Sequence, residues 1–318
     1  MTPRQTIGLV VLAAIWGASF IFVDVAVPAL GAVGLADSRS VIGAAALIVY
    51  GLVVRHALRS GAPRRTYFVV GAVNVAIPFV LIAAAQLTIP PSLAAIINAT
   101  APLFSAVIAG VWLGHRLSPQ AIAGLAVGLL GVALVVGGAP IALDVTTLLA
   151  VAASTGAAAC YALGGHLTKD RFPTDSPLVM AAGQQLAAGI LLTPFLVADP
   201  PNATPDAGQV AAALALGVGS SGVAYLIYFR LIEEVGATSA LTVTYLVPVF
   251  GVLWAALFRG DEITAGMLVG AAVVLAGVAL VTGASSPGSG GPSDPVPPSP
   301  NGASPPPPAP TGARAGRS

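Results

Sequence analysis

Charge is scarce in this sequence of 318 residues: only 8% of them are charged, where a soluble globular domain carries about a quarter. A water-exposed fold is excluded by that shortage. With 13 basic against 12 acidic residues the net charge is +1, too little to neutralise a run of phosphates, so nucleic-acid binding is excluded too. Lysine is almost missing. Lys169 stands alone, and no G-x-x-x-x-G-K precedes it, so the loop that cradles ATP phosphates is absent and ATP-driven pumping by this chain alone is ruled out. A single cysteine, Cys160, leaves no intrachain disulfide and no paired-thiol centre. No His/Cys cluster suggests a catalytic metal, and no cofactor is expected.

Apolar residues are abundant, at 56%, and they fall in runs of roughly 20, enough to cross a hydrocarbon core of about 30 Å as a helix. Cutting the runs at charged and Pro/Gly-rich breaks predicts ten helices: 6–27, 34–54, 67–86, 91–113, 119–137, 147–167, 177–197, 208–229, 236–258 and 263–283. The first run is too long for a signal-peptide core and has no small-residue cleavage site, so it is expected to stay as a membrane helix. From residue 284 to 318 the composition is Pro, Gly and Ser, which cannot bury enough surface to order itself. With a cytoplasmic N-terminus, eleven of the thirteen basic residues fall on the inner side, and Arg259 is the one base left outside. Both termini are therefore expected in the cytoplasm and the chain in the inner or plasma membrane.

The sequence repeats itself at an offset of 146 residues. Stretch 92–137 aligns without a gap to 238–283, which pairs Pro102 with Pro248, Gly124 with Gly270 and Gly131 with Gly277. Extended backward, the same offset pairs Gly43 with Gly189. Two five-helix units follow, 1–137 and 138–283, with a tail at 284–318. An odd number of spans per unit makes the second copy enter the membrane from the opposite side, so the fold class expected is an all-α membrane protein of ten transmembrane helices in two inverted repeats. Such repeats recur in secondary transporters, where two similar halves open a central site alternately to each side.

Several of these stretches carry a family resemblance. AAIWGASF in the first helix, Arg39 in the second, AIPFVLIAAAQLTIPPSLAAIINATAPLFSAVIAGVWL, and GSSGVAYLIYFRLIEEVGATSALTVTYLVPVFGVLWAALFRGDEIT all resemble the EamA-type branch of the drug/metabolite transporter superfamily, over about residues 6 to 283. The resemblance implies export of a small molecule: amino acids and their derivatives, other metabolites, or drugs. The family pattern has a glutamate after the glycine ending the fourth and ninth helices, where this chain has His115 and Asp261.

A charge inside hydrocarbon costs about 2.5–3.5 kcal/mol on insertion scales, so buried ionisable groups come first as candidates. Trp16, Ser19, Phe20 and Asp24 share one face of the first helix. The hairpin to the second helix centres near residue 31 or 32, which puts Arg39 at the depth of Asp24. That face is expected to line the cavity, with Arg39 drawing in a carboxylate through its fork of donors. Asp24 would be its resting partner or the acceptor of a coupling proton. The alternative is that Arg39 snorkels to the outer interface and pairs with Asp37 or Asp24 for assembly. Pro102 and Pro248 free the carbonyls of Asn98 and Thr244 at mid-span. Beside Thr100, Thr242 and Tyr245 these would form a polar cluster for an amine or hydroxyl, unless the prolines only shape packing. Ser221 and Tyr225 in the eighth helix are weaker candidates. Gln184 and Gln185 differ by 100° around their helix, so one of them faces the cavity. The pair Gly124 and Gly128 predicts close helix packing within the monomer.

The expected function is alternating-access transport of a small metabolite in the lipid bilayer, driven by a gradient or by exchange. Two rival functions stand against it. An intramembrane serine hydrolase would use Ser19, which has no histidine at mid-span to serve as base; no enzyme activity is expected. A scaffold would recruit a partner through its Pro-rich tail, and deleting 284–318 is expected to leave transport unchanged.

Overall fold

The computed structural model describes residues 2–57, 59–113, 117–198, 200–236, 240 and 242–284, all within the unit Met1–Ser285. His115 and the tail beyond residue 284 lie outside the described residues.

Helix starts follow the sequence chemistry. The longest helix, α1 (Pro3–Val53), opens with a capping box in which Thr2 and Gln5 satisfy each other's backbone N–H groups. Its two limbs meet at Gly31, whose φ of 71° and ψ of 170° favour glycine and break the helical path. Helix α2 (Arg64–Gln86) contains a π-helical turn at Ala72–Ala76. A short α3 (Pro91–Asn98) is followed after Ala99 and Thr100 by α4 (Ala101–Leu113). Then come α5 (Pro119–Gly138), α6 (Val145–Arg171) and α7 (Pro177–Leu192). Ser118, Asp144 and Ser176 accept from backbone N–H groups in their first turns. The Thr147 N–H holds the Asp144 carboxyl below its ordinary value. Helix α8 (Ala207–Val235) carries a longer π-helical stretch at Ala215–Val223, and α9 (Val243–Arg259) and α10 (Ala265–Ala284) complete the set.

Among the described residues there is no strand, and eight helical stretches are long and apolar enough to cross a membrane. The 17-residue α9 is a shorter apolar helix. At 51 residues α1 would span roughly 75 Å if it were straight, more than twice a hydrocarbon core.

Close backbone contacts fix the helix pairs. On the first limb of α1, a Cβ on Gly17 would stand 2.8 Å from the Gly251 backbone nitrogen of α9. On the second limb, a Cβ on Gly43 would stand 2.8 Å from Ser221 Cβ of α8, and one on Gly189 of α7 would stand 2.8 Å from Val41. The first limb thus meets α9 and, through Trp16, α8, while the second meets α7 and α8. Glycines also join α5 to α10, where a Cβ on Gly131 would lie 2.5 Å from the Val274 nitrogen and one on Gly277 would lie 2.5 Å from the Gly128 nitrogen. Gly124 and Gly128 therefore pack within the chain.

Candidate functional site

Helix α1 presents Arg39 and Gly43 one turn apart on one face. Because Gly43 has no side chain, the π-helical part of α8 comes close enough for Arg39 Nε to donate to Ser221 Oγ at 3.0 Å. Segments of π-helix inside regular helices are frequent at functional sites, and this one holds two buried serines, Ser220 and Ser221. The Arg39 guanidinium carbon lies 3.8 Å from the centroid of the Phe79 ring of α2, a cation–π contact. The phenols of Tyr161 and Tyr225 are its electrostatic neighbours. Among the described residues, no carboxylate forms an ion pair with Arg39. A guanidinium so placed, held by a hydroxyl and a ring, is set to favour an incoming anion.

Two further groups extend this centre. Trp16 Nε1 donates to the Ser220 carbonyl at 3.2 Å, and its ring meets Tyr225 edge-on at 6.2 Å and Tyr228 at 5.4 Å. On α7, Gln184 and Gln185 part company: Gln184 Oε1 accepts from Asn74 Nδ2 at 2.8 Å, whereas Gln185 is turned to Gly43.

The expected pairing of Asp24 with Arg39 is not what the structure has. Asp24 is ion-paired with Arg259 at the end of α9, with Nε to Oδ2 at 2.5 Å. Asp24 and Arg39 lie seven residues before and eight after Gly31, yet Asp24 reaches the end of α9 and Arg39 reaches α8. Asp37 accepts from Thr193 Oγ1 at 3.0 Å and does not pair with Arg39 either. Near Asp24, Asp261 accepts from Ser92 N (3.1 Å) and Ser92 Oγ (2.6 Å), which caps the start of α3 from another helix end. Asp24, Asp261, Glu262 and Gln86 line a cleft of about 590 Å³.

Two members of the predicted cavity face are committed elsewhere. Ser19 Oγ donates back to the Trp16 carbonyl, and Phe20 is a core side chain whose carbonyl accepts from Gln86 Nε2 at 2.8 Å. Only Trp16 of that face reaches Arg39's surroundings. The polar cluster expected at the prolines also takes a different form. Pro102 lies in the first turn of α4 and Pro248 inside α9, and the cavity of about 150 Å³ at Pro248 is lined by Ile96, Ala99, Val252, Leu268 and Ala271 among other apolar residues. Thr100 bonds back to the Ile97 carbonyl, and Tyr245 Oη bonds to Thr282 Oγ1 at 2.5 Å. The Asn98 side-chain oxygen is buried without a partner, and Thr244 is half-buried on α9. The cavity at Pro248 is thus lined by apolar residues, with Thr100 bonded to its own backbone and Tyr245 to α10.

Phe79, Tyr161 and Arg259 escaped the sequence reading. The 146-residue offset carried one usable signal, since it sets Phe79 opposite Tyr225 and Arg39 opposite Gln185.

Long apolar helices with polar side chains bonded between them define a multi-pass membrane protein. Comparison with known proteins makes the class specific. The model of the EamA-like transporter family matches residues 5–137 and again 148–283. The chain belongs to this family and is a membrane transporter. It is 27% identical over 276 residues to a protein of Streptantibioticus cattleyicolor described as a "Probable terminal-alkyne amino-acid exporter", with 86% of this chain and 91% of that one covered. An "Uncharacterized transporter" of Archaeoglobus fulgidus is 22% identical, with 87% and 98% covered. A protein of known crystal structure shares the fold at a TM-score of 0.63 and 22% identity, with 89% and 97% covered.

Proposed function

We propose that this transporter exports a small amino-acid-like metabolite by alternating access, and that Arg39 binds the cargo's carboxylate. The observation that carries the proposal is the Arg39 guanidinium itself, stacked on Phe79, bonded to Ser221 and paired with no carboxylate among the described residues. Neutral contacts offset only part of the cost of keeping a charge from water, so an anionic ligand is favoured there.

The architecture proposed is ten spans in two inverted repeats, 1–137 and 138–283. The break of α1 at Gly31, its length, and the two successive matches of one family model support that reading. Both termini then face the cytoplasm across the cell membrane. Transport is driven by a gradient or by exchange. A coupling proton on Asp24 requires its pair with Arg259 to open during the cycle.

Thermal unfolding of the protein in detergent against amino acids, organic acids and cationic drugs tests the reading. A ligand at a hundred times its dissociation constant stabilises by about 2.7 kcal/mol when it binds only the folded state. Stabilisation by carboxylate-bearing compounds, lost in Arg39→Gln, is expected. Stabilisation by cationic drugs alone, retained in Arg39→Gln, would replace it with multidrug efflux.

A further inference from the structure

Gln185 is 1% exposed, and neither its Oε1 nor its Nε2 has a hydrogen-bond partner. A buried carboxamide with both ends unmade is uncommon, and such a group calls for an explanation beyond packing. Its neighbour Gln184 shows the ordinary arrangement, bonded to Asn74. Gln185 instead lies where Arg39's helix comes closest to α8: its Cδ is 3.6 Å from the Cβ position of Gly43, which is 2.8 Å from Ser221 Cβ, and Ser221 holds Arg39.

The 146-residue offset makes Arg39 and Gln185 counterparts. One half of the chain therefore offers a fixed cation, and the other offers a neutral group that both donates and accepts. Aromatic rings surround the site these groups share: Phe79 lies against Arg39, Tyr225 stands one turn beyond Ser221, and Trp16 packs on both Tyr225 and Tyr228. Ring faces attract ammonium groups and repel carboxylates. A second carboxylate is thus disfavoured there, and an amine is favoured.

Building on the carboxylate role of Arg39, we infer that Gln185 reads the cargo's amine, its Oε1 accepting from the ammonium while Arg39 holds the carboxylate. The site is then selective for zwitterions. Neither half alone recognises an α-amino acid, since Arg39 by itself would accept any small carboxylate.

Binding measured by calorimetry on the full chain in detergent tests this with matched probes: L-phenylalanine against 3-phenylpropanoate, L-leucine against 4-methylpentanoate, and L-glutamate against glutarate. The wild type is expected to prefer the amine-bearing member of a pair about tenfold, the worth of one charge-assisted hydrogen bond. Gln185→Met should bring that ratio to about one and leave the deaminated probe's affinity in place. Gln185→Glu, close to isosteric, should raise the ratio above wild type, and it serves if the Met variant does not fold. Arg39→Gln should weaken both members of each pair. A packing role for Gln185 would lower thermal stability in the Met variant without moving the ratio, and that result overturns the inference. Equal binding within pairs by the wild type, or a preference for glutarate over glutamate, also overturns it while sparing Arg39. Failure of every probe to bind would remove the carboxylate reading and this inference with it.

Discussion

Asp24 and Arg259 form an ion pair that ties the first limb of α1 to the last turn of α9, with side chains 17% and 41% exposed. The pair stands over a wide cleft, where water screens it. Its net worth is therefore small, about 0.5 kcal/mol. Asp24→Asn, Arg259→Gln and the double variant, followed by thermal unfolding, should give a coupling energy of that order. A coupling of several kcal/mol would show that the pair is buried in the membrane form and closes the cleft.

Arg39 carries the opposite expectation. Arg39→Gln should lower the affinity for carboxylate-bearing cargo by at least about tenfold, with little change in unfolding temperature, because the residue makes one side-chain hydrogen bond and one ring contact. Arg39→Lys keeps the charge and loses the fork, so it should restore only part of the affinity. Binding unchanged in both variants would rule out the role.

Asp175 links two loops. Its carboxylate accepts from Gly61 N at 2.7 Å, Ser60 Oγ at 2.8 Å and Tyr67 Oη at 2.9 Å. Desolvation, the largest single influence, pushes its pKa up, these hydrogen bonds together outweigh it, and the group sits below its ordinary value. A depressed pKa in the folded state gives stability that is present above the unfolded value and lost as pH falls through the folded one. Asp175→Asn should therefore unfold at a lower temperature than wild type at pH 7. The gap should close as the pH falls below the ordinary carboxylate range, and a gap that is the same at pH 7 and pH 3 would refute the assignment.

The seam between α5 and α10 tolerates no side chain at its glycines. A methyl on Gly131 meets the Val274 nitrogen at 2.5 Å, and one on Gly270 meets the Val135 nitrogen at 2.5 Å. Backbone cannot give way as a flexible side chain does, so Gly131→Ala and Gly270→Ala should each cost about 1–3 kcal/mol. Gly137→Ala is the control, because its Cβ position is open. Thermal unfolding of the three variants side by side checks this.

Much of the helical layout was legible because hydropathy reports apolar run length directly, and a run as long as α1 is broken at a glycine, Gly31. Arg39 stood out for a similar reason, being a charge in an apolar run. What the sequence concealed depends on which way a helix face turns. Asp24 and Arg39 have equal claims to each other by depth, and only the way each limb turns its face assigns Arg259 to the one and Ser221 to the other. The π-helical turns at Ala72–Ala76 and Ala215–Val223 were equally hidden. Their residues have ordinary helix-compatible chemistry, and the extra residue per turn is set by neighbours. Phe79 gave no signal because an aromatic residue in an apolar run reads as filler until a guanidinium is found against it.

The glycine seam has a symmetry of its own. The offset of 146 carries Gly131 to Gly277 and Gly124 to Gly270, so the contact of Gly131 with Gly270 becomes the contact of Gly277 with Gly124, and both are present. A contact that maps onto itself under a two-fold is isologous, the kind through which identical subunits close into a pair. A half-length chain ending after α5 would therefore carry both sides of this joint, able to meet a second copy of itself through it.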